Sequence, residues 1–171
     1  SVKGIPSHTK HGLFADDTAL WTASTTYTRV RERLQQSTNI FTRWCDKWKL
    51  KLQPAKTELI HFSLGNRRKY LEKVYINIDN VTIRPVKQVR YLGLIFDRNL
   101  HWRNHLQHIE SKCASRTSLL RFLSKSRPDT NPVIMINLYK SLVRSIISYG
   151  SSAFITARGN VWERLQVIEN K

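Results

Sequence analysis

The chain has 171 residues, 40% of them apolar, with five tryptophans and 29 basic against 12 acidic residues, a formal charge of +17. That composition excludes wholesale disorder, since it can fill a packed core in one domain or in two small ones, and no apolar run approaches the roughly 20 residues that span a bilayer. The basic excess favours polyanionic partners, nucleic acid ahead of anionic membrane, although a merely solvated basic surface would carry the same charge.

The opening "SVKGIPSHTK" is polar and lacks the apolar core of a signal peptide. It starts without methionine and in mid-pattern, as part of something longer would. Next, "HGLF" and "TALWTA" are short strand-like runs flanking "ADD", which predicts a hairpin with those three residues as its turn. Adjacent strand residues point to opposite faces, so a turn is the one place where Asp16 and Asp17 can face a common site.

Helical spacing of Val30, Leu34, Phe41, Trp44 and Trp48 predicts a helix from about Tyr27 to Trp48. Its other face carries Arg29, Arg31, Arg33, Arg43 and Lys47. The Trp44 and Trp48 pair could stack on bases, but its register with Val30, Leu34 and Phe41 assigns both rings to the core. A turn around Pro54 and a buried strand over Glu58–Phe62 are expected next, then a polar basic loop, "LGNRRKYLEK". "VYINIDNVTIRPV" reads as two strands turning at Asp79–Asn80, and "VRYLGLIFD" is the most strand-like segment in the chain.

Beyond Asp97 the pattern turns helical. Trp102, Leu106, Ile109, Cys113, Leu120 and Leu123 form one stripe; "RPDTNP" is a linker whose Asp129 to Asn131 supply caps. A second helix covers "VIMINLYKSLVRSIISYG" and stops near Gly150, and another begins in "NVWERLQVIENK". The layout is α+β: a mixed sheet-and-helix half over residues 1–98 and an all-helical half over 99–171. Cys45 and Cys113 lie far apart in helical stretches, which is neither a disulfide framework nor a zinc ribbon and fits a reducing compartment. His101, His105 and His108 would share a helical face, but no fourth ligand has suitable spacing, so polar helix residues or phosphate contacts are preferred to zinc.

Two carboxylates held together repel unless a divalent cation compensates them, and magnesium takes oxygen ligands from one or two carboxylates plus substrate phosphates. On a basic chain this points to chemistry at nucleotide phosphates, in which two ions about 4 Å apart stabilise the attacking and leaving oxygens. A solvated Asp-Asp turn is the plain alternative for the pair taken alone.

In context, "FADDTAL" resembles the aromatic-x-Asp-Asp hairpin of the reverse transcriptase palm. "WCDKWKLKLQPAKTELIHF" resembles the helix end and lysine-bearing palm segment of non-LTR retrotransposon polymerases. "VRYLGLIFDRNLHWRNHL" resembles their primer grip and thumb entry, and "LVRSIISYGSSAF" with "LQVIENK" the helical part beyond. The four matches occur in the family's order over nearly the whole chain and are closest to jockey-like elements of arthropods.

The resemblance implies RNA-directed DNA synthesis, with residues 1–98 as the C-terminal part of a palm and 99–171 as a helical thumb and connection. Asp16 and Asp17 would be the metal-binding catalytic carboxylates, for Mg2+ with Mn2+ possible. Phe14 and Ala15 would shape the floor beside the primer end. Lys56 would protonate or steady the departing pyrophosphate, though it reads equally well as a solvated lysine before a strand. Arg90, Tyr91 and Gly93 would form the primer grip, Gly93 by close backbone approach, while Leu92 and Leu94 are assigned to sheet core. Arg116 and Arg121, with Arg103, Lys112, Lys125 and Arg127, would track a duplex by its phosphates.

The implied partners are an RNA template, a DNA primer and deoxynucleotides, with no membrane and no small-molecule cofactor; the implied place of action is intracellular, the nucleus, and not secretion. The family's site also needs a third carboxylate and a nucleotide-receiving segment, both expected before Ser1, so the chain alone is expected to be inactive. A non-catalytic RNA- or DNA-binding remnant of such a polymerase is the competing expectation. A product with an exposed sheet edge and no stable fold is a third.

Overall fold

The computed structural model describes residues 2, 4–63, 74–127, 129–156 and 159–169; the expected basic loop, residues 64–73, lies outside them. The chain is a mixture of small antiparallel hairpins and helices, and divides into two compact units, Ser1–Leu92 and Gly93–Lys171.

In the first unit, β1 (Thr9–Phe14) and β2 (Asp17–Thr22) pair antiparallel, with Thr9 opposite Thr22 and Phe14 opposite Asp17. The loop therefore has two residues, Ala15 and Asp16, and Asp17 is the first strand residue rather than part of the turn. Two-residue loops match the twist of their strands only when positive φ is available, and Ala15 supplies it at φ 52.

Helix α1 (Tyr27–Lys47) packs against this hairpin. Its buried residues are Leu34, Ser37, Thr38, Phe41 and Cys45, with Trp44 half-buried. Ser37 and Thr38 avoid an unmet hydroxyl by donating to the carbonyls of Arg33 and Leu34, both at 2.8 Å. Trp48, expected in the core, is 62% exposed. It caps the helix just beyond the last residue that reaches the core, so continuing the periodicity does not bury it.

The chain then makes a 3-10 turn, Pro54–Lys56. The strand expected over Glu58–Phe62 is only a bridge from Leu59 to Pro85: Leu59 is 8% exposed, Phe62 is 47% exposed, and the Leu59 carbonyl accepts from Val86 N–H at 2.8 Å. One buried apolar residue anchors the segment without a ladder. Strands β3 (Ile76–Ile78) and β4 (Val81–Ile83) pair through Asp79 and Asn80, at φ 47 and 63. These are short polar residues that tolerate the left-handed region. Ile76, Ile78 and Ile83 join Leu34, Leu59 and Val74 in one cluster; Val2, Phe41 and Cys45 form another, and Leu20 of β2 packs against both.

"VRYLGLIFD" is two strands rather than one. β5 (Gln88–Tyr91) and β6 (Leu94–Asp97) form a sheet whose turn, Leu92–Gly93, has φ 45 and 79. Leu92 is therefore a turn residue, not sheet core.

The second unit is built on α2 (Arg103–Ser126), whose Leu106, Ile109, Cys113 and Leu120 meet Val143, Ile147, Val161, Leu165 and Ile168. The helix expected up to Gly150 runs as α3 (Pro132–Tyr139), a π-helical segment (Lys140–Arg144) and α4 (Ser145–Ser148). Asn131 caps α3 by accepting from Val133 N–H at 2.9 Å. Ser151–Thr156 is a 3-10 turn, and α5 (Gly159–Glu169) follows.

Candidate nucleic-acid and metal site

Successive strand residues alternate in direction and cross-strand partners share a face. One face of the β1–β2 hairpin therefore carries Thr9, His11, Leu20 and Thr22 inward, with Thr9 4% exposed. The other carries Lys10, Gly12, Phe14, Asp17, Ala19 and Trp21 and stays open, with Phe14 64% and Trp21 50% exposed. A side chain at Gly12 would meet the Trp21 ring at 3.5 Å and the Tyr91 hydroxyl at 3.8 Å. Tyr91 is thus brought to the hairpin face that bears Phe14 and Asp17. Trp21 was not singled out from the sequence, although its period-two spacing from Asp17 and Ala19 was there to read.

Asp16 sits at the tip of the loop and Asp17 at the start of β2, both exposed. The strained alanine before them is an L-residue in a conformation that costs about 1–2 kcal/mol, the kind of outlier that collects at functional turns. The two carboxylates offer hard oxygen ligands, which suits a magnesium-type cation that also binds substrate phosphates. They do not make a closed site: among the described residues no three His, Cys, Asp or Glu side chains group closely enough to hold a metal. The donor set therefore fits a cation that takes further ligands beyond these two carboxylates, substrate phosphates among them.

Lys56 ends the 3-10 turn, exposed, and among the described residues no ion pair joins it to Asp16 or Asp17. Arg90 is exposed on β5 beside half-buried Tyr91. Gly93 belongs to the second unit, where a side chain on it would come within 3.2 Å of Tyr149 Cε1. The close approach at Gly93 is that of the Tyr149 ring. Arg116 and Arg121 are exposed along α2, as are Arg103, Lys112 and Lys125.

The three histidines do not form a helical face. His101 precedes α2 with its Nδ1 3.9 Å from Asp97 Oδ1. His105 is 3% exposed and its Nδ1 accepts from Ile95 N–H at 3.3 Å, which removes it from phosphate contact. His108 is half-buried, with its ring 6.5 Å from that of His105. The sequence also hid the role of Asp97. Its Oδ1 accepts from Asn99 and His101 N–H, both at 3.0 Å, and its Oδ2 from Trp102 N–H at 2.8 Å. Asp97 thereby shapes the entry to α2, whose capping residue Trp102 makes no side-chain cap of its own.

Cys45 and Cys113 are buried and free. Burial pushes both thiols up, and the Asp46 carboxylate adds to this at Cys45. Neither is a nucleophile at neutral pH, because the reactive form is the thiolate. No helix among the described residues is long and apolar enough to cross a membrane.

The family model described as reverse transcriptase (RNA-dependent DNA polymerase) matches residues 2–96. Among curated proteins, the chain is 29% identical over 160 residues to the "Probable RNA-directed DNA polymerase from transposon BS" of Drosophila melanogaster. It is 24% and 23% identical over 158 residues to the "RNA-directed DNA polymerase from mobile element jockey" of Drosophila melanogaster and of Drosophila funebris. Each match covers 92% of this chain and 17% of the relative, so the chain spans about one sixth of their length. No solved structure matches it.

Proposed function

We propose, for a chain that belongs to the reverse transcriptase (RNA-dependent DNA polymerase) family, that it forms part of the RNA-directed DNA polymerase of a non-LTR retrotransposon. In this proposal, residues 1–98 contribute to the palm and 99–171 form a helical thumb and connection. The observation that carries it is the hairpin tip, where exposed Asp16 in the two-residue turn and exposed Asp17 at the start of β2 stand beside exposed Phe14 in a chain of charge +17.

Asp16 and Asp17 hold a divalent cation, magnesium or manganese, together with groups from outside this chain. When bound, such a cation stabilises the attacking and leaving oxygens of an in-line nucleotidyl transfer. The open hairpin face with Phe14 and Ala15 supports the primer end. Tyr91 reaches that face with its hydroxyl, and Arg90 offers a cation to the primer backbone; Gly93 turns the chain between β5 and β6. Lys56 supplies positive charge for the departing pyrophosphate. Arg116 and Arg121 hold the duplex by its phosphates, which carry affinity without sequence information. RNA template, DNA primer and deoxynucleotides are the partners, and the nucleus is the place of action.

The test is primer extension on an RNA template by a polypeptide of the relatives' length. Asp16→Asn should lower activity about 100-fold or more and Lys56→Ala about tenfold or more, with RNA affinity unchanged or slightly raised by Asp16→Asn. Unchanged extension by Asp16→Asn would refute the catalytic role. The chain alone should extend no primer.

A second reading, a non-catalytic RNA- or DNA-binding remnant, is favoured by the exposed basic residues along α2 and by the lack of a three-acid cluster among the described residues. It predicts that Arg116→Ala and Arg121→Ala weaken RNA binding and flatten its salt dependence, whatever residue 16 is. A chain without salt-dependent RNA binding would rule out both.

A further inference from the structure

The end of α1 presents an aromatic ring amid cations. Trp48 is 62% and Leu50 52% exposed, and Lys47, Lys49 and Lys51 around them are all exposed. The ring is not a free rotor. Buried Phe41 stacks on half-buried Trp44 with centroids 5.8 Å apart, and Trp44 in turn meets Trp48 at 6.3 Å and 52°. The exposed indole therefore leans on a ladder of rings anchored in the core.

The backbone there is equally defined. Leu50 N–H donates to the Cys45 carbonyl at 2.9 Å and Lys49 N–H to that of Asp46 at 3.1 Å, which together close the helix in a Schellman motif. The left-handed residue of that motif is usually glycine; here it is Lys49, at φ 58. A lysine held where glycine would be less strained keeps a cation beside the indole. The one acid between Arg43 and Lys56 is Asp46, so a basic protein partner would meet repulsion.

We propose that this surface is a stacking platform for single-stranded nucleic acid, with the Trp48 indole against the face of a base and Lys47, Lys49 and Lys51 against the flanking phosphates. It rests on the chain's proposed work on nucleic acid but is a contact additional to the carboxylate hairpin and the basic residues of α2. A protruding ring can lie on a base only where that base is unstacked, because a duplex shows its edges and backbone instead. Every base has such a face, so recognition is tolerant of sequence.

The test uses the whole chain, a fluorescent oligouridylate and an RNA–DNA duplex, with binding followed by anisotropy over a range of salt. Trp48→Ala should weaken the single strand about tenfold, leave its salt slope unchanged and leave the duplex unaffected; Trp48→Phe should recover most of the loss. Replacing Lys47, Lys49 and Lys51 together with serine should reduce the single-strand salt slope by about 2. Independently of any variant, 5-iodouridine in the oligonucleotide should cross-link to Trp48 of the unaltered chain. Unaltered single-strand affinity in Trp48→Ala, or equal losses on strand and duplex, overturns the platform, as does a cross-link that avoids Trp48; the first result would fit a surface that docks protein instead. A parent chain that binds neither nucleic acid overturns the broader functional proposal as well. Binding insensitive to Trp48 overturns the platform alone.

Discussion

Replacing Asp97 should unfasten the start of α2. The carboxylate accepts three backbone N–H groups: Trp102 at 2.8 Å, and Asn99 and His101 at 3.0 Å each. Trp102 is 2% exposed, so water cannot readily replace the carboxylate at that amide, and a charge-assisted bond there contributes about 1.5–3 kcal/mol. The other two donors lie nearer the surface and are worth about 0.5 kcal/mol each once water competes. The backbone raises the stakes, since Leu100 and Trp102 sit at φ 54 and 62, a loop that needs its anchor to persist. Asp97→Ala should therefore cost about 3 kcal/mol in urea unfolding of the second unit. Asp97→Asn, which keeps one acceptor and loses the favourable charge at a helix N-terminus, should cost about half of that. Amide exchange should lose protection first at Asn99, His101 and Trp102. A loss under about 1 kcal/mol for Asp97→Ala, or unchanged protection at Trp102, would refute this account.

Gly150→Ala should destabilise the second unit by about 2 kcal/mol in the same assay: φ is +70, and the new Cβ would stand 2.5 Å from Leu94 Cδ2, so both the backbone and the leucine must yield. Lys49→Gly should raise the stability of the first unit by about 1 kcal/mol by relieving the left-handed residue, while weakening single-strand binding; a variant that is both less stable and equally tight would contradict both arguments. Because burial keeps the Cys45 and Cys113 thiols protonated in the fold, the native state holds protons that the unfolded chain releases. Stability should thus be level in this respect below the ordinary thiol range and fall as pH rises through it. The fall should be smaller in the Cys45→Ala, Cys113→Ala double variant, and both native thiols should react with a thiol reagent only at the rate of unfolding.

Local chemistry alone determined several parts of this protein. The stripe from Leu34 to Phe41 marks α1, the stripe from Trp102 to Leu120 marks α2, Asp79–Asn80 marks a turn, and Asn131 followed by Pro132 marks the start of α3. Each is legible because period, cap and turn preferences act between residues a few positions apart. The hairpin around "FADDTAL" was legible in the same way, although its turn proved shorter than "ADD" and Asp17 begins β2.

Only the tertiary structure decided the rest. Ala15 turns the chain at positive φ without the glycine or asparagine that would announce it, so the first loop shrinks to two residues; Leu92 joins Gly93 at positive φ, so "VRYLGLIFD" becomes a hairpin. Periodicity continues past the point where a helix leaves the core, which is why Trp48 reads as buried and stands in solvent. Histidine spacing cannot reveal that His101 lies before the helix while His105 is consumed by a backbone amide. The face that Trp21 shares with Asp17, the approach of Tyr91 to Gly12 and the three-point anchor at Asp97 depend on which segments meet in space. Nearest-neighbour preferences carry little information about such meetings; packing and hydrogen-bond satisfaction over the whole unit settle them.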